Sequence, residues 1–281
     1  MTEKIFVAVA GNIGSGKSSL TRLLSSHYGW TSFFESVEDN PYLADFYGDM
    51  NRWSFNLQVY FLSKRFNDHK KIVEGAVSVI QDRSIYEDAE IFARNLHQIG
   101  KMDKRDYANY VELYRVMTGY LRPPDLLIYL DARIETLLKQ IARRGREYEQ
   151  SIPQSYLEQL RDHYQEWIRG YRLGPLLVVP SDEVDFVHER GDFNRMLLLI
   201  QAKLMDLGYA AVPAAGRGPA DRRAGRGQFA CSLRLYSLLF RRSPFAASSC
   251  VSCSNEASIL PSSPLYLPES SILRARRSSE P

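Results

Sequence analysis

The chain has 281 residues, 36 Lys+Arg against 33 Asp+Glu for a formal charge of +3, and 44% apolar residues, the make-up of an ordinary globular protein. No stretch approaches the roughly 18 uncharged apolar residues of a membrane helix, and the opening MTEKIFVAVAG lacks an apolar segment followed by a small-residue cleavage site, so no membrane is expected as partner and the cytoplasm is the expected location. A charge of +3 is too small to argue for a nucleic-acid partner by itself.

In chain order, residues 5–10 form a short apolar run, the pattern of a strand buried on both faces. Residues 18–28 carry Leu20, Leu23 and Leu24 at helical spacing, and residues 31–36 read as a second strand that ends in Glu35. A long helix over 51–75, a third strand over 76–83 with Val77 and Val79 alternating, and a helix over 86–98 follow. A helix over 103–121 must stop before Pro123-Pro124. Residues 126–130 make a fourth strand, 133–144 and 153–171 two helices, 176–179 a fifth strand and 192–207 a last helix. Five strands separated by helices predict an α/β fold with a parallel sheet covered on both faces, whose ligands bind at the carboxyl ends of the strands.

Composition changes near residue 208. Residues 208–281 hold all three cysteines (Cys231, Cys250, Cys253), ten arginines, four acids, fourteen serines and seven prolines but no lysine, so they carry +6 while residues 1–207 carry −3. That mix without sustained apolar periodicity predicts a disordered basic tail after a boundary at Leu207–Gly208. Cys250-x-x-Cys253 has no second pair, and no metal site made of protein ligands alone is expected.

The strongest local signal is Gly11, Asn12, Ile13, Gly14, Ser15, Gly16, Lys17, Ser18, which fits GxxxxGK[ST] between a buried strand and a helix. Glycines let backbone N–H groups turn inward around phosphates, the helix N-terminus adds its positive end, Lys17 reaches the β/γ oxygens and Ser18 suits Mg²⁺. The motif identifies a P-loop protein that takes a nucleoside triphosphate, but it leaves ATPase, GTPase and kinase open. Other strand ends narrow the choice. Glu35 stands where a carboxylate can take a proton from an attacking hydroxyl. Asp82-Arg83 stands where an acid can join the Mg²⁺ shell and an arginine can meet phosphoryl charge. Arg143-Arg144-Gly145-Arg146 suits a lid over a triphosphate. On the long helix, Phe55, Gln58, Phe61, Leu62 and Arg65 fall on overlapping faces, and a planar ligand would satisfy the two polar groups among the aromatic ones.

Residues 11–18, Glu35, Trp53 to Gln58, Asp82-Arg83-Ser84, and Arg144-Gly145-Arg146 with Glu149 together resemble the deoxynucleoside kinases over about residues 4–205. The resemblance implies a P-loop kinase fold and transfer of the γ-phosphate of ATP to the 5′-hydroxyl of a 2′-deoxynucleoside, with Mg²⁺. It implies Glu35 as general base, Arg83 near the 5′-oxygen, Lys17 and Ser18-Ser19 at the donor phosphates, and Ser18 and Asp82 near the metal. Tyr47 and Glu149 match the residues on the 3′-hydroxyl, Gln58 the base-pairing glutamine, Arg65 and Asp88 the pair behind the base, and Phe92 the stacking ring. Arg144 and Arg146 match lid arginines, and residues 181–186, with Asp185 and Phe186, match the loop on the donor base. It also implies a homodimer.

Gln58 with Asp82 to Asp88 (DRSIYED) looks like the bacterial deoxyadenosine/deoxycytidine branch. In the deoxyguanosine branch the position of Gln58 tends to be glutamate, and in the thymidine-accepting branch that of Asp88 tends to be small. Deoxyadenosine is therefore the expected substrate, with deoxycytidine a second one. Gln140 stands where some relatives add a lid arginine. Two other readings compete: a nucleoside-monophosphate kinase or other small-molecule P-loop kinase, which gives no reason for Tyr47 and Glu149, and a non-enzymatic P-loop protein whose basic tail contacts nucleic acid.

Overall fold

A computed structural model describes residues 4–35, 40–146, 149 and 152–210 of the chain. The expected tail beyond Ala210, with Cys231, Cys250 and Cys253, lies outside the described residues, as do Ser36 to Asp39. Strand β1 (Phe6–Gly11) leads through the glycine-rich turn into α1 (Lys17–Tyr28), then β2 (Thr31–Phe33), α2 (Leu43–Gly48), α3 (Met50–Glu74) and β3 (Val79–Asp82). A helical stretch follows as α4 (Ile85–Glu87), a π-helical turn (Asp88–Ala93) and α5 (Arg94–Gln98). Then come α6 (Lys104–Thr118), β4 (Leu126–Asp131), α7 (Ile134–Arg144), α8 (Gln154–Gly170), β5 (Leu176–Pro180), a 3₁₀ turn (Ser181–Glu183) and α9 (Arg190–Asp206). No helix among the described residues is long and apolar enough to cross a membrane.

The sheet has the order β2-β3-β1-β4-β5 with every pair parallel. All six residues of β1 are buried, because helices cover both faces. Phe6, Ala8 and Ala10 point into one core with Leu57, Leu62, Ile91, Leu96 and Tyr164, while Ile5, Val7 and Val9 point into another with Leu20, Leu24, Met196 and Ile200. The chain leaves β1 toward β2 and β3, yet leaves β3 toward β4 on the opposite side of β1. The ends of β1 and β3 thus flank a topological switch point, where a crevice opens in such sheets.

Several boundaries differ from expectation, each for a local reason. β2 stops at Phe33, paired with Gln81, so Glu35 lies two residues beyond the strand instead of closing it. β3 begins at Val79 and not at Ala76; Val77 is 57% exposed, and Ser78 accepts Ile5 N–H on its hydroxyl and Thr31 N–H on its carbonyl. The expected helix over 86–98 is interrupted by a π-turn, and α2 is an additional short helix between Pro41 and Asp49. Gly208, at φ +88, follows the last helix.

Candidate active site

The phosphate loop owes its shape to three glycines at positive φ, +151 at Gly11, +82 at Gly14 and +95 at Gly16. Each is also crowded: a Cβ on Gly14 would lie 2.9 Å from Leu137 O and Ile141 Cγ1, and one on Gly16 would lie 3.0 Å from the Phe186 ring. Asn12 fastens the loop, its amide donating to Leu157 O at 2.9 Å and its carbonyl accepting Ile13 N–H at 2.7 Å. Lys17, 7% exposed, donates to Asn12 O at 2.9 Å. Burial, with Arg83 nearby, lowers its ammonium to about 8 against the pull of Asp82, Glu87 and Glu35. One carbonyl engages one donor of an ammonium that has three, so the group is suited to further anionic oxygens.

Ser18 Oγ donates to Asp82 Oδ2 at 2.5 Å, which brings the last residue of the loop to the last residue of β3. A hydroxyl and one carboxylate are hard oxygen donors that suit Mg²⁺ when phosphates and water complete its shell. No cluster of three or more His, Cys, Asp or Glu side chains suited to a metal occurs among the described residues.

Next to Asp82, Arg83 has φ +69, the one described non-glycine residue in that region. Its N–H donates to Val9 O at 2.9 Å, and Arg65 Nη1 donates to its carbonyl at 3.3 Å. The Arg83 guanidinium is buried, stacks 4.3 Å over the Phe92 ring and stands 3.7 Å from Glu35 Oε1. Its Nε is buried and has no hydrogen-bond partner among the described residues, an orphan donor that an incoming oxygen would satisfy.

Arg65 reaches up from α3 between two carboxylates, with Nη2 2.9 Å from Glu35 Oε1 and Nε 2.7 Å from Asp88 Oδ2. Burial alone would push Glu35 up, but Arg83, Arg65 and Lys17 outweigh it and hold the carboxyl at about 2. For Asp88 the balance reverses. Burial pushes it up to about 6 despite Arg65, with Glu35 adding to the rise. Against burial, Asp88 and Glu35 drive Arg65 further into its charged state, and Glu35, Tyr164, Glu87 and Asp82 do the same to Arg83.

These groups share a cavity of about 680 Å³, lined by Ile13, Gly14, Lys17 and Ser18 at one end and by Leu57, Gln58, Phe61, Asp88 and Phe92 at the other. Glu35, Asp82, Arg83, Tyr47, Arg144, Arg146 and Glu149 also line it. Gln58 is 4% exposed and lines the cavity. Leu57, not Phe55, joins Gln58 and Phe61 on the wall. At the lid, α7 ends at Arg144, and Gly145 at φ +70 turns the chain. Arg144 Nε lies 2.9 Å and Arg146 Nη1 3.3 Å from the two oxygens of Glu149. The arginines expected on donor phosphates and the glutamate expected on a 3′-hydroxyl thus hold one another.

Not every expected residue reaches the cavity. Gly11, Asn12, Ser15, Gly16 and Ser19 lie outside its lining, the first four shaping the loop from behind, and so does Arg65, which meets the cavity only through Glu35 and Asp88. Phe186, 5% exposed, packs with Met196 and Ile200 beneath Gly16, and Asp185 instead accepts His188 N–H at 3.0 Å and Asp192 accepts Asp185 N–H at 2.8 Å. Phe186 thus packs against the phosphate loop, and Asp185 stands on the surface turn before α9. Conversely, Arg22, Phe34, Leu43, Phe46, Met50, Ile152, Pro153 and Tyr156 line the cavity without having been expected. Met50 and Tyr156 begin α3 and lie in the first turn of α8, positions that carry no motif signal.

Residues 7–205 match the family model described as deoxynucleoside kinase. The chain is 41% identical over 202 residues to the deoxyadenosine/deoxycytidine kinase of Bacillus subtilis, covering 71% of this chain and 93% of that one. It is 39% identical over 211 residues to the deoxyguanosine kinase of Lactobacillus acidophilus, with 72% and 92% covered. Among solved structures it is similar to the deoxyadenosine kinase from M. mycoides with bound dATP, with 27% identity, a TM-score of 0.61, and 69% of this chain and 97% of that chain covered.

Proposed function

The chain belongs to the deoxynucleoside kinase family, and we propose that it transfers the γ-phosphate of ATP to the 5′-hydroxyl of a 2′-deoxynucleoside, deoxyadenosine first and deoxycytidine second. The observation that carries this reading is one cavity in which a phosphate loop faces Glu35 and Arg83, with Gln58 and Asp88 on its far wall and Arg65 behind them, bonded to both Glu35 and Asp88. Gln58 offers a donor and an acceptor to a base edge. Asp88 presents a carboxylate held by Arg65, which favours an exocyclic amine over a carbonyl or methyl group. The relatives named above include both deoxyadenosine and deoxyguanosine kinases, so identity alone does not choose the base, and the assignment rests on Gln58 together with Asp88.

Glu35 orients the 5′-hydroxyl and accepts its proton as the O5′–Pγ bond forms and the bond from Pγ to the leaving oxygen of ADP breaks. A carboxylate held at about 2 is a weak base, which is sufficient for a loose phosphoryl transition state that demands positioning more than proton abstraction. Arg83 and Lys17 meet the charge on the transferred group. Tyr47 and Glu149 hold the 3′-hydroxyl, and Arg144 and Arg146 turn to the donor phosphates. Ser18 and Asp82 would hold Mg²⁺, which neutralises phosphate charge when bound. Residues 1–207 form the kinase domain and 208–281 a non-catalytic appendage. The protein works in the cytoplasm as a homodimer, for which Leu113, Val116 and Tyr120, 39%, 53% and 80% exposed, supply an apolar face.

Steady-state kinetics with MgATP and each of the four deoxynucleosides test the reading. Deoxyadenosine is expected to give the highest kcat/KM, followed by deoxycytidine. Thymidine or deoxyguanosine as the best substrate would sink the base assignment, and a nucleoside monophosphate outcompeting all four would move the chain to another class of P-loop kinase.

A further inference from the structure

Glu87 is fully buried at 0% exposure and forms no ion pair among the described residues. Its two oxygens instead collect four donors from three segments. Oε2 accepts Ser84 N–H at 2.7 Å and Ser84 Oγ–H at 3.1 Å, and Oε1 accepts Tyr164 O–H at 2.7 Å and Gly11 N–H at 3.4 Å. A buried carboxyl that needs four donors drawn from three segments is a costly way to gain stability alone. The placement of the four donors suggests what the carboxylate does instead.

The β1–β3 ladder ends with Val9 opposite Asp82 and a last bond from Arg83 N–H to Val9 O. Beyond that point the two chains diverge, one into the phosphate loop that carries Lys17 and the other into the turn that carries Arg83. Glu87 spans this divergence. One oxygen holds Gly11, where the loop starts, and the other holds Ser84, next to an Arg83 kept in the left-handed region at φ +69. Tyr164, on α8, anchors the carboxylate from below, on the same helix whose Leu157 carbonyl holds Asn12.

We propose that Glu87 is a positioning residue that continues the β1–β3 pairing past the end of the sheet and sets the distance between Arg83, on the acceptor side, and Lys17, on the donor side. The proposal rests on the kinase reading above, since only there do those two side chains act on one phosphoryl group. Apolar replacement removes the link, and even Glu87→Gln breaks it. An amide has an NH₂ in place of one oxygen, so either Gly11 N–H or Ser84 N–H then faces a donor.

The test is full-chain Glu87→Gln with deoxyadenosine and MgATP, with rates scaled to the ATP-binding stoichiometry of each preparation so that a loss of folded protein cancels. The expected result is a fall in kcat of about 10- to 100-fold, as small misplacements of reacting groups cause, with the acceptor KM within about twofold of the parent. Tyr164→Phe, which removes one donor and leaves the carboxylate, is expected to lower kcat about fivefold at unchanged KM. A Glu87→Gln enzyme whose scaled kcat stays within twofold of the parent overturns the proposal, as does a loss expressed only in KM. If Glu87→Gln yields no folded protein, Tyr164→Phe decides alone, and an unchanged kcat overturns it. A parent chain that turns over none of the four deoxynucleosides sinks the kinase reading itself, whereas an active parent with an equally active variant sinks only the role of Glu87.

Discussion

The two ends of the cavity are held together in opposite ways. At the ends of β1 and β3, Arg65, Arg83 and Asp88 have side chains no more than 8% exposed, and Arg65 alone bonds two carboxylates and the Arg83 carbonyl. At the lid, Arg144 and Arg146 are 34% and 40% exposed and share one glutamate across a glycine turn. Breaking a buried pair strands a charge in a medium that cannot solvate it, whereas a half-exposed arginine exchanges a carboxylate for water or phosphate at little cost, provided that a hydroxyl takes its place on Glu149, itself only 6% exposed. The buried cluster is therefore built to stay and the lid to let go. That division suits an enzyme that must fix an attacking hydroxyl yet admit and release a triphosphate.

The contrast is sharpest in catalysis. Glu35→Gln removes the proton acceptor while preserving shape, and single-turnover assays are expected to show a rate lower by about 10²-fold or more; turnover near the parent level would remove Glu35 as base. Stability gives the next largest difference. Arg65→Met leaves Asp88 buried without its partner and is expected to cost about 3 kcal/mol, the low end for a broken buried pair because Asp88 can take up a proton. By contrast Glu149→Gln is expected to change stability by less than about 1 kcal/mol, while raising the acceptor KM about tenfold through the lost 3′-hydroxyl contact. Equal melting shifts for the two variants would erase the distinction between wall and lid.

The smallest effect is on pH dependence. With Asp88 pushed up to about 6 and Glu35 held at about 2, the acid limb of kcat/KM belongs to Asp88: activity falls as pH drops through about 6 because the charge beside Arg65 is lost. In Asp88→Asn that limb is expected to disappear. The same raised value means that Asp88 favours the folded state less as pH rises from its ordinary 3.8 through about 6. The melting temperature of the parent should therefore exceed its trend slightly on the acid side of that window, in a way that the Asn variant does not.

Much of this was readable from residues in order. The phosphate loop is local, because its glycines, lysine and serine act within eight consecutive positions, and the run of buried residues in β1 announces a strand covered on both faces. Glu35, Gln58, Arg65, Asp82 and Arg83 were likewise found, by motif spacing and family likeness, and all line or border one cavity. What escaped was set by distant neighbours. The sequence did not show that the absent side chain of Gly16 leaves a space that the Phe186 ring fills. Glu87 gave no signal beyond its place three residues after Ser84, since only two of its four bonds are a local helix cap and the other two come from Gly11 and Tyr164, 76 and 77 positions away.

The sequence by itself therefore determined the class of chemistry and the elements that carry it, because hydrophobic period and a glycine-rich turn are properties of neighbours along the chain. Only the tertiary structure decided which charges face one another: that Arg65 serves Glu35 and Asp88 together, that the lid arginines rest on Glu149, and that Glu87 bridges two strand ends. The physical reason is that burial and pairing depend on what packs across the sheet. The same carboxyl is held at about 2 at Glu35 and pushed to about 6 at Asp88 by surroundings that sequence order does not contain.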